Sequence, residues 1–116
     1  MSKYSSPSEI TVQELQQQLI DRSSSLQLID VRETTEVELA SIGDFQVLPI
    51  SRYQSWSKTI LNDFDPDQET IVLCHHGIRS AQMCYWLANQ GFTNVKNVVG
   101  GIDAYSKFVD ERIPRY

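Results

Sequence analysis

Cysteine is scarce in this chain of 116 residues, which holds two, Cys74 and Cys84. They form neither a Cys-x-x-Cys pair nor a cluster with metal-ligand spacing, so a disulfide framework and a zinc site are set aside. Any cysteine chemistry is that of a single thiol. Long apolar runs are missing too: stretches such as Ile71-Val72-Leu73 fall far short of the ~20 residues needed to cross a bilayer. The opening Met1-Ser2-Lys3-Tyr4-Ser5-Ser6-Pro7 lacks the apolar segment of a secretory signal, so the expectation is a cytoplasmic protein with no membrane partner. Basic charge is in short supply, with 10 Lys and Arg against 15 Asp and Glu and a formal charge of −5. No global field attracts phosphate backbones, which excludes nucleic acid as a partner. Repeats and low-complexity tracts are absent.

What is present describes one compact domain, 41% hydrophobic and 22% charged. At this length folding buries about two-thirds of the unfolded surface, enough for one core without metal or disulfide staples. Residues 1–7 read as a flexible N-terminus and 8–116 as a single domain. Thr11 and Glu14 have capping-box spacing, flanked by Ile10 and Leu15 as a hydrophobic staple, which predicts a helix starting at Thr11 with Val12, Leu15 and Leu19 on one face. A turn at Ser23-Ser24-Ser25 leads to a strand over 26–31, and a short helix follows over 34–40. A strand over 45–50 ends in proline, a helix spans 53–61, and Thr70-Ile71-Val72-Leu73 reads as the centre of the sheet. Ala81, Cys84, Tyr85 and Ala88 recur at helical spacing before Gly91, predicting a helix over 80–90; a strand over 95–99, a Gly100-Gly101 turn and a helix over 102–109 complete the chain. Strands alternating with helices imply an α/β fold, a mostly parallel central sheet with helices on both faces.

Leu73-Cys74-His75-His76-Gly77-Ile78-Arg79-Ser80-Ala81 places Cys74 where a buried strand ends and a short loop feeds a helix. Ligands of α/β sheets bind at that edge. Loop amides and the first N–H groups of the helix converge there into an anion cradle that favours thiolate over thiol, with Gly77 letting the backbone curl around the sulfur. Helix-terminus electrostatics alone contribute only ~0.3–1 kcal/mol at an exposed site, so several amides and Arg79 must share the effect.

Cys74-x-x-Gly77-x-Arg79-Ser80 between a strand and a helix resembles the active-site loop of rhodanese-like sulfurtransferases. Leu28-Ile29-Asp30-Val31-Arg32-Glu33 with Glu36 resembles that family's first signature. Gly91-Phe92-x-Asn94-Val95 and Gly100-Gly101-Ile102-x-Ala104-Tyr105 resemble its C-terminal signature, with Tyr105 where tryptophan is more usual. The resemblance runs from about Ile10 to Val109. It lapses at Ser41-Ile42-Gly43-Asp44-Phe45, where the family commonly carries a histidine-containing Gly-His-Ile-Pro-Gly-Ala segment, which reads as altered packing beside the sheet.

The resemblance implies a rhodanese-like fold and persulfide chemistry, in which the Cys74 thiolate takes the outer sulfur of a donor and passes it to a thiophilic acceptor. It places His75, His76, Gly77, Ile78, Arg79 and Ser80 around the substrate and needs no metal or organic cofactor. The partners it implies are a small sulfur-anion donor such as thiosulfate with a thiol or cyanide-type acceptor, or a persulfide-carrying protein, and the domain is expected to be a monomer. Arg79 has two readings, tying the loop to backbone carbonyls and contacting the substrate anion. Asp30 and Arg32 read as a structural ion pair or loop tether near the site. Adjacent positions should send the His75 and His76 rings in different directions, and no third ligand is evident, so neither is assigned to a metal. Cys84, on an apolar helix face, reads as core, and Trp56, Trp86 and Tyr105 as core or rim aromatics. Two other functions compete. Cysteine phosphatases and arsenate reductases use Cys-x5-Arg, whereas four residues separate Cys74 from Arg79. A non-catalytic or sulfur-relay module that binds a partner protein is the other.

Overall fold

The computed structural model describes residues 8–21 and 25–116; the segment expected to be flexible, 1–7, and Ser23 and Ser24 of the expected turn lie outside the described residues. Five strands form one all-parallel sheet: β1 (Ser8–Ile10), β2 (Gln27–Asp30), β3 (Gln46–Val47), β4 (Thr70–Leu73) and β5 (Val95–Val98), in the spatial order β1-β5-β4-β2-β3. All four β4 residues are buried, so this strand is the centre. Register is set by side-chain alternation. Leu28, Ile71, Leu73 and Val98 enter one core cluster, while Ile29, Val31, Val72 and Cys74 enter the other, as the period of two in a strand demands.

Helices cover both faces. Val12 and Leu15 of α1 (Val12–Asp21) and Ile102 and Tyr105 of α6 (Gly101–Phe108) pack on the first face. Met83, Cys84 and Leu87 of α5 (Ile78–Asn89), Trp56 of α3 (Tyr53–Trp56) and Ile60 of α4 (Ile60–Asp63) pack on the second. The short α2 (Thr34–Leu39) follows β2. Thr11 stands just outside α1 and closes both arms of the capping box: its amide donates to Glu14 Oε1 at 2.8 Å, and the Glu14 amide donates to Thr11 Oγ1 at 3.1 Å.

Three local expectations change, and one strand was not expected. Strand β1 is too short to show a pattern; its pairing of Ser8, Glu9 and Ile10 with Lys96, Asn97 and Val98 defines it. The strand expected over 45–50 shrinks to Gln46–Val47, because Pro49, which has no N–H to give a ladder, instead opens a 3-10 turn at Ile50–Arg52. The helix expected over 53–61 is broken into α3, a 3-10 turn at Ser57–Thr59, and α4, with backbone departures at Trp56 (φ −107°, ψ −19°) and Thr59 (φ −112°, ψ 9°). Trp56 anchors this stretch, buried and donating its indole N–H to the Pro49 carbonyl at 2.8 Å. Helix α5 starts at Ile78 rather than Ser80, since Gly77 at φ +99° caps it. In the divergent 41–45 segment, Ile42 joins Ala40 in the core with Phe45 against them, and Asp44 adopts φ +75°.

Candidate active site

Cys74 is the residue after β4 and is 1% exposed. Three donors converge on its Sγ: the Gly77 amide at 3.1 Å, the Ser80 amide at 3.3 Å and the Ser80 hydroxyl at 3.2 Å. The sequence puts them there because Gly77 takes a left-handed turn that brings the N-terminus of α5 back over the sulfur. A Cβ at Gly77 would lie 3.2 Å from the Val98 carbonyl and 3.3 Å from the Gly100 nitrogen, tighter than side chains tolerate easily. Helix α6 braces the loop from below: its Ile102 amide donates to the Cys74 carbonyl at 2.9 Å, and its Asp103 amide to the His75 carbonyl at 3.1 Å.

Asn97, on β5, is a site residue that sequence reasoning missed, because a lone polar residue in a strand carries no pattern. Its Nδ2 donates to the Gly77 carbonyl at 3.0 Å, which turns Oδ1 toward the Ser80 hydroxyl at 2.5 Å. That hydroxyl has one proton and two acceptors, Asn97 Oδ1 and an ionised Cys74 sulfur. It can answer negative charge on sulfur by rotating, without moving the backbone.

Arg79 does not reach back to loop carbonyls. Its guanidinium makes a bidentate pair with Glu36 of α2, Nη1 to Oε2 and Nη2 to Oε1, both at 2.8 Å, with the side chains 35% and 20% exposed. The hydrogen bonds to the Glu36 carboxylate, with a smaller through-space contribution from the nearby Cys74, hold the Arg79 pKa well above its ordinary value. Glu36 entered the sequence reading only as a signature residue; here it also accepts the Glu33 amide at 3.0 Å. The bonds from Arg79 hold the Glu36 carboxyl down to about 2 from its ordinary 4.5. With the folded value below the free one, the stabilisation from this pair is complete above pH 4.5 and is lost as pH falls toward about 2. Glu36→Gln should therefore lose less stability than the unsubstituted chain over that interval, read as the urea midpoint against pH; identical pH slopes would contradict it.

Asp30 and Arg32 are buried, 1% and 0% exposed. Arg32 Nη2 meets Asp30 Oδ2 at 2.7 Å and its Nε meets Oδ1 at 3.0 Å, tying the end of β2 into a rigid corner beside the site. Buried charges persist only when paired in this way.

His75 and His76 do not diverge. Their rings stack with centroids 3.8 Å apart and planes at 27°. Burial, then the neighbouring His76, lower the His75 pKa. Asp103 is a third candidate ligand unseen in the sequence, since ligand atoms of His75, His76 and Asp103 all lie within 4.8 Å of one another. The lone pairs of stacked imidazoles lie in the ring planes and run alongside rather than converge. The Asp103 carboxylate is already bound by Arg115 at 2.9 and 3.2 Å. The arrangement is a stack and an ion pair more than a coordination sphere. Ile78 is exposed at the start of α5, whereas Cys84 is fully buried, its thiol pushed up to about 12 by burial. Cys84 is therefore inert core.

The profile of the Rhodanese-like domain matches residues 11–108. The chain is 44% identical over 110 residues to Rhodanese-like/PpiC domain-containing protein 12, chloroplastic, of Arabidopsis thaliana, which covers 93% of this chain and 37% of that protein. It is 31% identical over 99 residues to a Sulfurtransferase of Allochromatium vinosum, 85% of this chain and 88% of that one. In structure it resembles a rhodanese-like domain protein from Staphylococcus aureus, with a TM-score of 0.75, 28% identity, and coverage of 94% and 98%. The chain thus spans just over a third of the Arabidopsis protein and most of the bacterial one.

Proposed function

The chain belongs to the rhodanese-like domain family, and on that premise we propose that Cys74 carries a transferred sulfur atom as a persulfide. Family membership and the similarity to a named sulfurtransferase support a sulfurtransferase or sulfur-relay role. The observation that carries the finer reading is the convergence of the Gly77 and Ser80 donors on a buried sulfur at the end of the central strand.

The chemistry needs only this thiol. With thiosulfate as donor, the Cys74 thiolate attacks the outer, sulfane sulfur; the S–S bond of the donor breaks and sulfite leaves with the electron pair. Cys74 then holds –S–S⁻. A thiolate or cyanide attacks the terminal sulfur, forms the new bond to it, and returns Cys74 to the thiolate. In both half-reactions charge shifts between sulfur atoms, and preformed amide donors meet it without solvent reorganisation. The Ser80 hydroxyl turns from Asn97 toward sulfur, and Arg79, held by Glu36, supplies a fixed positive charge nearby. A protein persulfide is an equally suitable donor.

The test is an intact mass of reduced protein after incubation with thiosulfate and removal of the excess. The expected result is a gain of one sulfur, ~32 Da, discharged by cyanide and absent from Cys74→Ser. An adduct that persists in Cys74→Ser would overturn the assignment.

A further inference from the structure

Tyr116 lies 42 positions after Cys74 in the chain and meets the residue that follows it in space. Its ring stacks on His75, the residue that follows the thiol, with centroids 3.9 Å apart and planes at 8°. His76 stacks on His75 as well, so the three rings form a pile at the loop. The Tyr116 hydroxyl receives a hydrogen bond from Arg32 Nη1 at 3.0 Å and donates to Glu36 Oε1 at 2.9 Å. That direction uses the phenol fully: one lone pair meets a guanidinium and the proton meets a carboxylate. The same Glu36 oxygen receives Arg79 Nη2.

The segment leading to Tyr116 is tied down along its length. Ser106 donates to the Ile113 carbonyl, and Arg115 clamps Asp103, whose amide holds the His75 carbonyl. Tyr116 therefore closes a continuous path, Asp30–Arg32–Tyr116–Glu36–Arg79, from the end of β2 to the first turn of α5, while its ring lies flat on the loop between them.

We propose that Tyr116 is a positioning residue of the Cys74 loop, its ring bracing His75 and its hydroxyl holding Glu36 against Arg79. This rests on the reading of Cys74 as the reacting thiol, but its test does not need sulfur transfer. The loop amides stabilise the thiolate only while they point at sulfur, so a loosened brace reads out as a weaker thiolate. The hydrogen bonds and the ring stack of Tyr116 go to Arg32, Glu36 and His75 rather than to Sγ or its donors, which is why the effect must pass through His75 and Glu36.

The experiment is the rate of Cys74 alkylation by iodoacetamide against pH in the Cys84→Ser chain, in which a single thiol reports. Tyr116→Ala and Tyr116→Phe are compared with Tyr116 intact, and urea unfolding confirms that each is folded. Tyr116→Ala should move the midpoint upward by about half a pH unit or more, roughly a threefold loss of thiolate at a fixed pH below it. Tyr116→Phe keeps the stack and loses the two hydroxyl bonds, and should fall between the two. Superimposable profiles for Tyr116→Ala and the unsubstituted residue would overturn the proposal. A Phe profile equal to that of Ala would overturn the part assigned to the ring. Because alkylation reads the thiol directly, a missing persulfide adduct would leave this result interpretable, and the reverse.

Discussion

Replacing Cys74 by serine should reduce sulfur transfer to background, a loss of roughly a thousandfold or more, as expected when a covalent nucleophile is removed. Serine keeps the cradle bonds almost unchanged in shape, since the Gly77 and Ser80 donors meet an oxygen where they met sulfur. What disappears is the sulfur atom that the proposed mechanism needs to accept and release a sulfane sulfur. Cys84→Ser should do the opposite. It places a hydroxyl in the cluster of Met83, Leu87 and Phe92, where an unpaired polar group costs about 1–3 kcal/mol. Stability falls and turnover of folded protein persists. Steady-state transfer to cyanide, paired with urea unfolding, separates the two. Full activity in Cys74→Ser, or loss of turnover in well-folded Cys84→Ser, would move the chemistry to the other cysteine.

Gly101→Ala should be the most damaging single methyl in the chain. Gly101 sits at φ +62°, and a Cβ there would lie within 2.5 Å of the Cys74 carbonyl oxygen and nearer still to that of His75. Both obstacles are backbone and cannot swing aside. Either α6 withdraws and gives up the bonds from Ile102 and Asp103, or the thiol loop moves. Backbone strain at a positive φ adds roughly 1–3 kcal/mol, so a total loss of about 3 kcal/mol or more is expected. Denaturant unfolding measures it, and slowed Cys74 alkylation in the surviving folded protein should accompany it. A loss below about 1 kcal/mol would mean the approach of α6 to the loop is not rigid.

Much of this was legible in one dimension because the signals are local. Capping at Thr11–Glu14, the apolar run of β4 and the helical spacing over Ala81–Ala88 each lie within a few residues, and the fold follows from their alternation. Cys74, Gly77 and Ser80 lie on one short loop and the first turn of the helix it feeds, so their convergence is a local event too. Elements went wrong where a tertiary contact overrides the local preference. The buried indole of Trp56, bonded to Pro49, organises a stretch that propensity alone reads as one helix. Strand β1 exists only because β5 offers it an edge.

Sequence by itself determined the class of the fold, the position of the thiol and its immediate donors, because these depend on hydrophobic period, turn residues and helix termini. Tertiary structure alone decided who surrounds that loop. Asn97 from β5 aims the Ser80 hydroxyl, Glu36 from α2 captures Arg79, Gly101 seats α6 beneath the carbonyls, and Tyr116 stacks on His75. The two hydrogen-bonded side-chain pairs among these, Asn97 with Ser80 and Glu36 with Arg79, are 17 and 43 positions apart along the chain. No period or spacing encodes such pairs; they meet because packing the sheet between two layers of helices brings strand ends, helix starts and the Tyr116 segment to one edge.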